Sequence, residues 1–132
     1  MPTLRLVPQH KGDDDACANL QQASDDDIQS LLWPLLECLQ DINWPIAASV
    51  LERLLRYRGD DLAGPLLQIL SGDDEMWKYW LLTNLLPDVQ LSVWQALRFK
   101  IYAMVRQSTP AELQEEVSEA AAELLSHWKN KA

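Results

Sequence analysis

Cysteine is nearly absent from this chain, and the two present, Cys17 and Cys38, stand in no Cys-x-x-Cys or Cys-to-His spacing. Neither a zinc-binding nor a dithiol redox pattern is therefore written in it, and both thiols are expected to be reduced, one or both of them buried. Histidine is equally scarce. His10 and His127 lie near the two ends and belong to no nucleophile, metal or phosphate motif, so the reading is of a non-enzyme with no catalytic residue, cofactor or metal. Long apolar runs are missing too. Nothing approaches the roughly 20 residues of a membrane span, and the opening Met-Pro-Thr-Leu-Arg-Leu-Val-Pro lacks an apolar core of signal-peptide length. A soluble cytoplasmic protein with no membrane partner is the expectation.

Positive charge is the last deficit. Eleven Lys and Arg face twenty Asp and Glu, a formal charge of −9, and the imbalance is confined to one part of the chain. Residues 1–75 hold 14 acids and 5 bases, whereas residues 76–132 hold 6 of each. An acidic field repels phosphate backbones and attracts basic surfaces, so nucleic acid is not expected as a direct ligand and a basic protein is. The same excess also serves solubility, and charge alone does not separate the two roles.

What the chain does have is leucine at helical spacing. Its 132 residues are enough for one domain, 1–132, that buries a core without disulfides or metals. Residues 1–23 predict an extended arm with one short helical turn around 16–20, anchored by Leu4, Leu6 and Val7. Asp13, Asp14 and Asp15 lack the glycine and the twelfth-position acid of a calcium loop and read as a solvated acidic loop. The helical body, 24–129, opens at Ser24, a hydroxyl N-cap followed by Asp25, Asp26 and Asp27 at the positive end of the dipole.

Ile28, Leu31, Leu32, Leu35, Leu36 and Leu39 then predict a helix over 26–40, kinked by Pro34. Pro45 opens a second helix, and Arg53, Arg56 and Arg58 complement the negative end of its dipole. A third helix runs from Asp60 to Gly72. The fourth, over 76–86, is apolar on nearly every side, and the fifth, over 89–107, turns Arg98, Lys100 and Arg106 to solvent. The sixth begins at Thr109, Pro110 and Glu112, a capping box. Leu113, Val117, Ala120, Ala121, Leu124 and Trp128 form its buried stripe, and Glu112, Glu116, Glu119 and Glu123 its solvated face.

An offset of 31 residues lays Pro34-Leu35-Leu36 over Pro65-Leu66-Leu67 and Leu54-Leu55 over Leu85-Leu86, with seven of the 22 positions from 34 to 55 identical. Two helical hairpins of one kind follow, and the fifth and sixth helices complete a third. The expected fold is all-α: three stacked antiparallel hairpins, a short HEAT-like solenoid with an irregular N-terminal arm. Turns within hairpins share one edge of such a stack. That edge collects Asp41, Asn43, Trp44, Asp73, Asp74, Glu75, Trp77 and Lys78 as candidate partner-binding residues, acids beside aromatics that suit arginines and apolar knobs. With both tryptophans folded inward, the same acids would merely cap helices.

Gln40-Asp41-Ile42-Asn43-Trp44-Pro45-Ile46-Ala47, followed by Asp73-Asp74-Glu75-Met76-Trp77-Lys78-Tyr79-Trp80, resembles the signature of a bacterial family of small all-helical, HEAT-like proteins catalogued as a domain of unknown function. Pro8, Lys11, Asp13, the Ser24-Asp25 helix start and Glu37 join the resemblance, which spans residues 7–127; the extra acidity at Asp13 to Asp15 departs from it. The family has no assigned enzymatic activity. Similar small acidic helical proteins occur as immunity proteins beside polymorphic toxin genes, so the resemblance implies a binding module that occludes a basic toxin domain. The alternative is a self-associating or adaptor scaffold, and the protein is expected as a monomer or homodimer.

Overall fold

A computed structural model describes residues 5–131; Leu4, expected to help anchor the arm, lies outside them. All regular structure is helical, with no strand among the described residues. Packing divides the chain into two compact units, Met1–Asp61 and Leu62–Ala132.

In the first unit the arm is more ordered than expected. Residues 5–13 run irregularly into α1, Asp14–Gln22, a nine-residue helix where one turn was predicted. The Asp13 carboxylate explains the difference. It is buried, caps the helix by accepting from the N–H of Ala16 at 3.4 Å, and also accepts from the N–H of Gln9 at 2.9 Å. Arg5 closes a two-pronged ion pair on it, Nε at 3.0 Å from Oδ2 and Nη2 against Oδ1. The aspartate run is thus an N-cap and a first helical turn, not a solvated loop, because donors from three residues converge on one carboxylate.

Hydrogen bonds from Arg5 above all, and from the Gln9 N–H, hold Asp13 down at a pKa of about 2. The unfolded value is higher, so the stability this group adds is complete above about pH 4 and is lost as pH falls through about 2. Carboxyl NMR should find a midpoint near 2 for Asp13. Acid unfolding of Asp13→Asn should lack this contribution.

Ser24 and Asp27 form the capping box of α2, Asp25–Ile28, each side chain accepting from the other's backbone. A 3-10 turn, Gln29–Leu31, separates α2 from α3, Leu32–Glu37, so the single helix predicted over 26–40 is interrupted. Pro34 has no N–H for the carbonyl of Ser30, and its ring crowds that carbonyl; the chain tightens just upstream and restarts with proline inside a first turn.

Pro45 is the first residue of α4, Pro45–Arg56, which buries Ile46, Ala47, Val50, Arg53 and Leu54. Within the unit α4 takes α1, not α3, as its principal helical neighbour. Side chains fasten the two. Gln21 Nε2 donates to the carbonyl and hydroxyl of Ser49, both at 2.8 Å, and Arg56 donates to Gln21 Oε1 at 2.7 Å. Arg53 is 3% exposed and donates to the carbonyl of Ala23 at 2.9 Å and to Asp25 Oδ1 at 2.7 Å. Arg53 and Arg56, expected at the helix end for the dipole's sake, therefore tie α4 to α1 and to the start of α2. Both cysteines are free. Cys38 is buried, which pushes its thiol up to about 11 and keeps it protonated.

The second unit comprises α5, Ala63–Leu70; α6, Glu75–Trp80, continued by a π turn, Leu81–Leu85, and a 3-10 turn, Leu86–Asp88; α7, Leu91–Arg106; α8, Pro110–Gln114; and α9, Val117–Lys131. The 31-residue offset reappears in local structure. The 3-10 turn Gln29–Leu31 corresponds to Asp60–Leu62 and the start of α3 to that of α5, with Pro34 and Pro65 each third in their helix. Helices α7 and α9 run antiparallel. Trp94 near the start of one stacks on Trp128 near the end of the other, 5.0 Å between centroids, and the Ser108 and Ser118 hydroxyls meet at 2.7 Å at the opposite end. That stack contributes about 0.5–1.5 kcal/mol beyond its buried area.

Orphan carbonyls after the π turn are satisfied by α9: Trp128 Nε1 donates to Leu86 O at 3.0 Å, and His127 and Lys131 donate to Pro87 O at 3.0 and 2.9 Å. The predicted sixth helix is broken. Thr109 and Glu112 form the expected capping box, but Glu116 adopts φ 64° between α8 and α9. The rotation that this left-handed residue introduces ends the common phase of residues 113 and 117. Leu113, expected inward, is 63% exposed, whereas Val117, Ala120, Ala121, Leu124 and Trp128 are buried as predicted.

Candidate functional site

The residues expected along one binding edge fall in different compact units. In the first, Asp41 is half-buried and its Oδ1 accepts from the N–H of Asn43 at 2.9 Å, closing an Asx turn. Asn43 is exposed. Trp44 is half-buried, with the Lys11 ammonium 5.7 Å from its ring centroid. The turn supplies its own structural reason for Asp41.

In the second unit Asp73 and Asp74 are exposed, and Asp74 caps α6 by accepting from the N–H of Trp77 at 3.1 Å. Trp77 and Lys78 point inward, 7% and 3% exposed, so neither side chain offers a contact surface. Lys78 Nζ lies 3.0 Å from Glu75 Oε1 and 3.4 Å from Glu112 Oε2, with side-chain exposures of 3%, 11% and 5%. Glu112, expected on the solvated face, is buried for the reason that exposes Leu113: the break at Glu116 takes α8 out of phase with α9. Its Oε1 also accepts from the N–H of Thr109 at 2.9 Å, so one carboxylate serves both the cap and the ion pair.

The remaining glutamates of that stripe border an exposed surface. A depression of about 360 Å³ is lined by Met76, Tyr79, Trp80, Gln114, Glu115 and Glu116. A second of about 120 Å³, lined by Tyr79, Thr83, Glu116, Glu119, Ala120 and Glu123, shares Tyr79 and Glu116 with it. The two make one acidic, aromatic face. Among the described residues Glu115, Glu116, Glu119 and Glu123 enter no ion pair. Met76 is 55% exposed, and Tyr79 meets Trp80 edge to face at 5.4 Å.

The π turn sits directly behind these rings. Thr83 Oγ1 donates to the Tyr79 carbonyl at 2.8 Å and Asn84 Nδ2 to that of Trp80 at 3.1 Å, which satisfies carbonyls that the wider turn leaves without α-helical partners. Such a face can pair carboxylates with guanidinium or ammonium groups beside an apolar contact. Three of its acids, Glu116, Glu119 and Glu123, were visible in the sequence as part of a solvated stripe, and Glu115 was not. That they adjoin Tyr79 and Trp80 depends on a contact between helices about 40 positions apart, for which no local pattern exists. Among the described residues no three His, Cys, Asp or Glu side chains converge to hold a metal ion, and no helix is long and apolar enough to cross a membrane.

No curated protein matches the chain. The chain belongs to the family described as Domain of unknown function (DUF5071), whose model matches residues 6–125.

Proposed function

We propose that the chain is a non-enzymatic protein-binding module, in its most concrete form a cytoplasmic immunity protein that neutralises a basic toxin domain by tight binding and occlusion. The observation that carries the reading is the acidic, aromatic face of the second unit, four carboxylates in no ion pair around Met76, Tyr79 and Trp80. The formal charge of −9 supports it by steering a basic partner toward the protein. A HEAT-like hairpin arrangement is the finer fold we propose, supported by the antiparallel α7 and α9 and by the local structure that recurs at an offset of 31 residues.

Affinity purification from its own cells should return a basic protein, and co-expression should protect cells from that protein's toxicity. Glu115→Lys with Glu119→Lys should keep helix content by circular dichroism while weakening the complex about tenfold or more, chiefly through a slower, salt-dependent association. Unchanged affinity would remove this face from the interface and leave the turn at Asp41 and Trp44 to be tested in the same way. A partner that is not toxic would overturn the immunity reading and leave the binding module standing.

A further inference from the structure

A depression of about 680 Å³ where the N-terminal arm meets α1, α2 and the 3-10 turn has polar groups already spent on the fold: Arg5 is paired with Asp13, and Asn19 donates to the carbonyl of Arg5. A groove of about 600 Å³ between α7 and α9 is different. The stacked pair Trp94 and Trp128 lies in its lining, buried to 8% and 9% exposure, while Phe99 and Tyr102 stand out from it at 73% and 48%. Three cations, Arg98, Arg106 and Lys129, line it with no carboxylate among them.

Two of these three cations are laid on rings, as is Lys131 outside the lining. Arg98 sits 4.9 Å from the Phe99 centroid, Arg106 4.8 Å from that of Tyr102, and Lys131 4.6 Å from that of Trp128. Arg98 and Arg106, both of the lining, are thereby held over apolar surface, which reduces the ordering entropy of binding, whereas the Lys131 ammonium is spent on the Pro87 carbonyl. Aromatic surface this exposed, rimmed by one sign of charge, marks an interaction site.

We infer that this groove receives an amphipathic helix of a partner protein whose apolar ridge is edged with carboxylates. Two parallel walls of helix fit a third helix laid between them, its apolar residues at helical spacing meeting Phe99 and Tyr102. Charge selects the edges. A second copy using the same face would set the three lining cations against three like charges, and a nucleic acid would have to approach a molecule of formal charge −9. The site is distinct from the acidic face and takes a ligand of opposite sign.

A display library of random dodecapeptides selected on the full chain tests this. Enriched peptides should combine Asp and Glu with apolar residues at helical spacing, and a synthesised winner should perturb the fluorescence of the groove tryptophans. Arg98→Glu with Arg106→Glu should weaken it about tenfold or more at unchanged helix content, and Phe99→Ala with Tyr102→Ala should do likewise. Glu119→Lys should leave it unaffected. Enrichment of basic peptides, no enrichment, indifference to both double variants, or displacement of the winner by oligothymidylate would each overturn the inference.

Discussion

Lys78→Met is expected to lower stability by about 3–5 kcal/mol, because it leaves two carboxylates in a buried site without their cation. Glu75 and Glu112 approach Lys78 from different helices, at 3.0 and 3.4 Å, and the second is a fixed member of the Thr109 capping box. It cannot swing out to solvent without giving up the N–H of Thr109. The Glu75 side chain is 11% exposed and its buried Oε2 has no hydrogen-bond partner. Lys78 therefore neutralises two carboxylates in a buried site, one of them held by the Thr109 N–H. Urea unfolding followed by circular dichroism measures the cost. Adding Glu112→Gln to the lysine variant should recover part of it, since one of the uncompensated charges is then gone. A loss under about 1 kcal/mol would mean that water reaches the carboxylates and that the cluster is effectively solvated.

Replacing Arg53 by methionine should cost about 2 kcal/mol. Its Nη2 bridges the Ala23 carbonyl and Asp25, and removal deprives both of a donor. The figure stays below that for Lys78 because the Asp25 side chain is 39% exposed and keeps the N–H of Arg58 at 3.2 Å. Methionine also removes the buried Nε of Arg53, which has no partner. Lysine should recover part of the loss, since its ammonium carries three N–H donors and a single nitrogen, Nη2, serves both acceptors here.

A second readout separates this ion pair from packing alone. The Arg53 hydrogen bond is the main cause that lowers the Asp25 carboxyl below its ordinary pKa. A carboxyl lowered in the folded state adds stability above its unfolded pKa of about 3.9 and loses it as pH falls through the folded value. Carboxyl NMR of Arg53→Met should therefore show Asp25 moving up toward the unfolded value, and the wild-type advantage over the variant should shrink as pH falls below about 3.9.

Helix starts were the most legible feature, because they are decided by a few adjacent residues. Ser24 with Asp27, Pro45, Asp74 and Thr109 with Glu112 each do in the structure what their chemistry predicts. Interruptions were less so. Pro34 was expected to kink a helix and instead ends a 3-10 turn and restarts one, a choice that depends on how neighbouring helices cover the upstream turn. The break at Glu116 left no signal at all, since glutamate has no preference for φ 64° and continues the apolar period on either side.

That break had the largest consequence for the candidate site. A continuous helix would place Glu112 with Glu116, Glu119 and Glu123 on one solvated face. The actual chain divides them, sending Glu112 inward to Lys78 and leaving the other three with Glu115 beside Tyr79 and Trp80. Lys78 and Trp77 were read as contact residues because a stack of hairpins brings its turns to one edge, where tryptophan beside acids suits an interface, with inward tryptophans as the other reading. Burial of Lys78 follows from a partner 34 residues away, outside the reach of any periodicity.

From its order of residues alone, this protein determined that it is all-helical, where α2, α4, α6 and α8 begin, and that residues 29–37 and 60–68 share one local structure. These depend on hydrogen bonds and dihedral preferences within a turn or two of chain. Tertiary structure alone decided which charges are spent inside the fold and which face outward. Arg53, Lys78, Asp13 and Glu112 went in; Glu115, Glu119, Arg98 and Arg106 stayed out. A charged side chain is buried only where a distant group neutralises it, and that group's position is set by how helices pack.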